Sequence, residues 1–112
     1  MAKLEKGCRI EEVPQGTVRR FKVANNQILI AHTTDGYSAV DSICSHKNGD
    51  LSKGRLEGKI IYCPVHGAGF DVTNGKVAKN VSPVIRAVTR SEATNLRSYP
   101  VKVDAGTVWV EI

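Results

Sequence analysis

Two short clusters of soft ligands constrain this chain more than any other feature. Cys44-Ser45-His46 is followed, after sixteen residues, by Cys63-Pro64-Val65-His66 and then by Gly67-Ala68-Gly69-Phe70. Two thiolates and two imidazoles, one of each from two hairpin-like loops, suit an ion or a small metal cluster held between the loops. Zinc fingers usually place their two cysteines together and their two histidines together. Here the pairs are mixed, Cys-x-His and Cys-x-x-His. A tetrahedral Cys2His2 zinc module would satisfy the same four side chains, so the donor types alone leave zinc open. The metal-free alternative treats each cysteine as a small buried apolar residue.

The order and spacing resemble the Rieske family, in which two histidines replace two cysteines on one iron of a [2Fe–2S] centre. The resemblance implies a [2Fe–2S] cluster on Cys44, His46, Cys63 and His66, with Pro64 and Gly67 also at family positions. The cysteines would hold the buried iron and the histidines the outer one, whose exposed imidazole edges would be the electron exit. It implies an all-β Rieske fold of antiparallel sheets, with a barrel-like base and a small cluster-binding subdomain of two ligand loops. Residues 1–112 would be one domain, with the subdomain at about 43–71. The likeness covers 37–77 and 98–112 best. Small Rieske ferredoxins cross the intervening region quickly, whereas 84–95 reads as an insertion, an extended loop with a helical turn.

Cysteine usage fits this picture. With two of the three cysteines taken as ligands, Cys8 is left over and reads as an ordinary small residue rather than a reactive thiol. High-potential Rieske proteins join their ligand loops by a disulfide. The matching positions here are Gly49 and Val65, so no such bridge is expected, which suits a reducing compartment. Those proteins also supply hydrogen bonds to sulfur from a Ser and a Tyr just after the second histidine. Here the positions read Ala68 and Phe70, which implies the low-potential branch.

The rest of the chain reads as short strands and turns. Strands are expected at Cys8 to Val13, at Thr17 to Val23 with Phe21 and Val23 on one face, and at Gln27 to Thr33. The last of these is too apolar to have an exposed face. Turns fall at Pro14 to Gly16, at Asn25-Asn26 and at Asp35-Gly36, the last of the primed hairpin kind. Tyr37 to Ile43 returns to deliver the first ligand loop, and His32 reads as a plain strand residue. Leu51 begins an apolar patch able to cover a cluster, and Leu56 to Tyr62 forms a hairpin at Glu57-Gly58. Gly67 and Gly69 would let backbone N–H groups approach sulfur. A further hairpin turns at Thr73-Asn74-Gly75, and Val108, Val110 and Ile112 line one face of a final strand.

Function follows from what such a site can do alone. A chain of 112 residues with no catalytic constellation and no phosphate-binding loop leaves little room for substrate chemistry. By resemblance, it is an electron carrier, not an enzyme, shuttling electrons from a reductase to a terminal oxygenase or similar acceptor. The alternatives are a Rieske small subunit of a larger oxidoreductase, like those of nitrite reductases, or a structural zinc module. The charged start and the absence of any long apolar run point to a cytoplasmic protein with no membrane span. A monomer is expected. The formal charge of +5 favours acidic redox partners over nucleic acid, since the basic residues are not interleaved with aromatics.

Overall fold

The computed structural model describes residues 3–45, 49–65, 67–90 and 92–112. Among them are eleven strands in three antiparallel sheets. One sheet joins β1 (Leu4–Arg9), β11 (Thr107–Glu111) and β10 (Val101–Asp104). The second runs β2 (Thr17–Val23), β3 (Asn26–Thr33), β4 (Gly36–Asp41) and β9 (Ser98–Tyr99). The third contains β5 (Arg55–Glu57), β6 (Ile60–Tyr62), β7 (Gly69–Asp71) and β8 (Val77–Lys79).

Within the middle sheet, β3 is buried on both faces, which explains its apolar run. Alternate side chains of a strand point to opposite faces. Ile28 and Ile30 therefore join one core with Cys8, Val108 and Val110 of the first sheet, and with Val23, Phe21 and Tyr99. Leu29 and Ala31, with Val40 of β4, join a second core with Leu51, Ile61, Phe70, Val72 and both ligand-loop cysteines. One strand thus braces the cysteine-bearing unit against the base.

Several expected boundaries move. The first strand is Leu4–Arg9, and Ile10–Glu12 forms a single 3-10 turn. Its charged residues gave no apolar signal, but pairing with β11 in the register Leu4↔Glu111 to Arg9↔Thr107 supplies what local sequence lacks. A register shift between Lys6 and Cys8 falls at Gly7, where a Cβ would lie 2.9 Å from Ile30 Cδ1. The expected Asn25-Asn26 turn is shifted by one residue. Ala24 and Asn25 hold the positive φ angles, 48° and 69°, and Val23 pairs with Asn26 across a two-residue turn. At the next turn only Gly36 has a positive φ (111°), so that hairpin is not of the primed kind. The final strand pairs as expected, with Val108 and Val110 fully buried.

The expected helical turn of the insertion is a two-turn helix, α1 (Pro83–Thr89), and residues 92–97 after it have no regular structure. Ser82 caps it by accepting from Ile85 N–H at 3.2 Å, Pro83 begins it, and Arg90 ends it in the left-handed region at φ 56°. Ser-Pro is a start signal that loose apolar spacing obscured. Only Ile85 packs on the core; Val84 and Val88 are 70% and 76% exposed.

Burial holds two groups of the base in their neutral forms. The Cys8 thiol is pushed up to about 11, mainly by burial, from an ordinary 9.0. The Tyr99 hydroxyl, buried and donating to Asp41 at 2.7 Å, is pushed up to about 12 from 10.0. Each group keeps its proton longer folded than unfolded, so each favours the folded state below its ordinary value. That contribution is lost as pH rises through the folded value. Urea midpoints should therefore fall progressively above about pH 9. Cys8→Ala should flatten the slope between pH 9 and about 11, and Tyr99→Phe the slope between pH 10 and about 12. An unchanged slope in both variants would contradict the assignment.

Candidate metal centre

The two ligand loops are hairpin tips built to one plan. Cys44 N–H donates to the Gly49 carbonyl at 2.8 Å, and Cys63 N–H donates to the Ala68 carbonyl at 2.7 Å. Each cysteine therefore opens a tip closed by the carbonyl five residues on. Below the first tip, Ile43 bridges to Asp50 and Leu51 N–H donates to the Ser42 carbonyl. Below the second, Tyr62 pairs with Gly69 in the β6–β7 ladder. The described residues thus fix where each tip begins and ends. His46 and His66, the expected imidazole ligands, lie outside them.

Cys44 and Cys63 are 1% and 4% exposed and belong to one apolar cluster with Leu51, Ala68 and Phe70. Leu51 is therefore in the covering position expected of it. No disulfide involves Cys8, Cys44 or Cys63. The two tips also meet directly. A Cβ built on Gly49 would stand 2.8 Å from Cys63 Sγ and 3.6 Å from Val65 Cβ. The second distance lies in the range that a disulfide needs, about 3.5–4.5 Å. Glycine allows this close approach, which any Cβ would block at the Cys63 sulfur and the Val65 side chain.

The glycines after the second histidine also have local structural roles. Gly67 has φ +77°, which favours glycine, and its N–H donates to the Cys63 carbonyl at 3.0 Å. Gly69 is required by packing: a Cβ there would lie 2.9 Å from the Tyr62 ring. Among the described residues, no three His, Cys, Asp or Glu side chains converge. Two buried thiols at the bases of facing tips, in one apolar cluster, fit the cysteine half of a two-iron group.

His32 and Cys8 lie elsewhere. His32 stacks on Tyr37 with ring centroids 4.0 Å apart, and its Nδ1 is 3.0 Å from the Val13 carbonyl. Cys8 sits in the base core.

Residues that sequence reasoning missed hold the first tip in place. Ser45, between the expected ligands, donates to the Thr94 carbonyl at 2.6 Å and accepts from Thr94 N–H at 3.0 Å. Asn80 binds the neighbouring Ala93 through both its N–H (3.0 Å) and its carbonyl (3.1 Å). Leu96 N–H donates to the Gly75 carbonyl, and Asp41 N–H donates to the Arg97 carbonyl. Residues 93–97 therefore form a clasp across the β7–β8 hairpin and the first tip. Asp50 anchors the other side. Its carboxylate accepts from Ser52 N–H at 3.0 Å and Ser52 Oγ at 2.6 Å, and pairs with Arg20 of β2 at 3.3 Å. Burial pushes this carboxyl up, but the Ser52 hydrogen bonds, Arg20 and Lys53 outweigh it and hold it below 3.8.

Residues 4–100 match the family model described as the Rieske [2Fe-2S] domain. The chain belongs to this Rieske family. It is 30% identical to the ferredoxin component of a naphthalene 1,2-dioxygenase system from Pseudomonas aeruginosa, over 90% of this chain and 88% of that protein. It is 31% identical to the ferredoxin subunit of a 3-phenylpropionate/cinnamic acid dioxygenase from Photorhabdus laumondii, over 94% and 90%. Among solved structures, it resembles a chain in the complex of reduced oxygenase and oxidized ferredoxin of carbazole 1,9a-dioxygenase. That match has a TM-score of 0.76 and 31% identity, covering 94% of this chain and 89% of the other. The Rieske fold is all-β and carries a [2Fe–2S] cluster, and the chain is an electron-transfer protein rather than a catalyst.

The clasp gives a direct test. Ser45→Ala leaves the Thr94 N–H and carbonyl without their partner, which should cost about 1 kcal/mol of stability at this exposed position. Ser45→Thr, which keeps the hydroxyl, should recover most of it. Chemical denaturation of the three proteins measures the difference, and equal midpoints for all three would discount the clasp.

Proposed function

We propose that Cys44, His46, Cys63 and His66 hold the cluster, and that the chain carries electrons from a reductase to a terminal oxygenase or similar acceptor. One observation carries the reading: the two cysteines open matching hairpin tips and are buried in one apolar cluster. When bound, the [2Fe–2S] group accepts and returns one electron at a time. The chain's own residues provide the setting. Leu51 and Phe70 are fully buried beside the cysteines and exclude water, while Pro64 and Val65 expose the outer edge of the second tip. The ferredoxin components among its relatives support the same role.

The proposal takes residues 1–112 as one domain whose cluster-binding part is about 43–71, working in the cytoplasm. Cysteines without disulfides support that location, and no helix is long and apolar enough to cross a membrane among the described residues.

The low-potential expectation has a physical basis in the packing. Hydrogen bonds to cluster or cysteine sulfur favour the reduced, more negative state and raise the potential. Ala68 and Phe70 are fully buried in the cysteine cluster, and neither side chain can donate.

Anaerobic purification followed by dithionite reduction should give a Rieske-type EPR signal, and a colourless zinc-loaded protein would overturn the proposal. Cys44→Ser and Cys63→Ser should abolish the signal, while Cys8→Ser should leave it unchanged. Voltammetry should place the midpoint near about −150 mV at neutral pH rather than about +300 mV. Ala68→Ser and Phe70→Tyr should each raise it. A wild-type midpoint well above zero would refute the low-potential argument.

A further inference from the structure

We propose that a basic groove beside the second ligand loop is the docking site for an acidic surface of the electron partner. The groove encloses about 460 Å³. Lys53, Arg55, Glu57 and Lys79 supply its charges, and Cys63 and Gly67 of the ligand loop lie in its wall. The proposal rests on the electron-carrier reading and names the chemistry of the partner that reading requires.

Three cations face one anion, and the anion is already engaged. Glu57 accepts from Arg55 at 2.8 and 3.1 Å, and the Arg55 guanidinium also lies 5.4 Å from the Tyr62 ring centroid. Arg55 is therefore held in place before any partner arrives. Lys53 and Lys79 are exposed and form no ion pair with a described residue. Two other cations of the same half of the molecule are tied to carboxylates, Lys59 to Asp71 at 3.6 Å and Arg20 to Asp50 at 3.3 Å. The groove thus has a net positive charge beside the wall that contains Cys63, with Lys53 and Lys79 outside any ion pair among the described residues.

The adjoining tip supplies the apolar part of an interface. Val65 is 49% exposed and Pro64 is exposed beside it. Protein interfaces combine a desolvated apolar centre with a charged rim, and complementary charge speeds encounter more than it deepens affinity. The fitting partner therefore offers carboxylates around an apolar hollow. Nucleic acid fits less well, because Tyr62, the one aromatic ring in the groove, is engaged by Arg55.

Two haem proteins of opposite charge serve as probes: acidic cytochrome b5 and basic cytochrome c. One electron passes from the reduced ferredoxin to the ferric haem, leaving oxidised ferredoxin and ferrous haem. Association with each ferric probe is measured separately by titration of the oxidised proteins. Lys53→Glu/Lys79→Glu should weaken cytochrome b5 association and slow its reduction by about tenfold at low salt, and should speed reduction of cytochrome c. Lys6→Glu/Lys102→Glu, on the β1–β11–β10 sheet, makes the same change in net charge. It should alter either rate by less than about threefold. Val65→Ser should weaken binding without changing its salt dependence. Equal effects from the two lysine pairs, or no wild-type preference for the acidic probe, would overturn the groove. Selective binding by a protein that shows no cluster EPR signal would leave the groove standing and remove the carrier reading instead.

Discussion

The burial of β3 on both faces holds the rest of the structure together. Ile28 and Ile30 belong to the core of the base, while Leu29 and Ala31 belong to the core that contains Cys44 and Cys63. All four are fully buried. An antiparallel strand normally keeps one face in water, and this one does not because a sheet covers each side. The cysteine-bearing unit is therefore fixed to the base through side chains of adjacent residues. A cavity opened at Leu29 disturbs the ligand tips, and one opened at Ile30 disturbs the packing of β1 and β11.

Rigidity in this arrangement serves one-electron chemistry. A carrier works fastest when its surroundings change little between oxidation states, because preorganised groups need not be rearranged at the moment of transfer. The tips meet this need with short-range devices: a backbone hydrogen bond closing each loop, Asp50 pinned by Ser52 and Arg20, and Ser45 clasped to Thr94. The charged groove adjoins that rigid set, with Arg55 fixed on Glu57 and the exposed Lys53 and Lys79 beside it.

Much of this was legible in the residues. The order Cys-x-His then Cys-x-x-His indicated the family, and alternation in Thr107–Glu111 and the unbroken apolar run in β3 gave strands and their burial. What escaped depended on partners distant in the chain or on backbone conformation. The first strand is charged at Glu5, Lys6 and Arg9 and is defined by its pairing with β11. The Ala24-Asn25 turn needs two positive φ angles, and Asn25-Asn26 looked equally able to supply one. The Tyr62 ring's need for a glycine at position 69 depends on a cross-strand neighbour that local sequence does not reveal. The role of residues 93–97 could not be read at all, because most of their hydrogen bonds involve backbone atoms and carry no side-chain signature.

Ser45 and Thr94 are separated by 49 positions, and Asp41 and Tyr99 by 58. During synthesis the first ligand tip emerges long before the segment that clasps it. Loop closure over such a span is entropically costly and slow compared with forming a local hairpin. The hairpin bonds of the first tip join near neighbours, whereas the clasp that holds it needs nearly the whole chain to be in place.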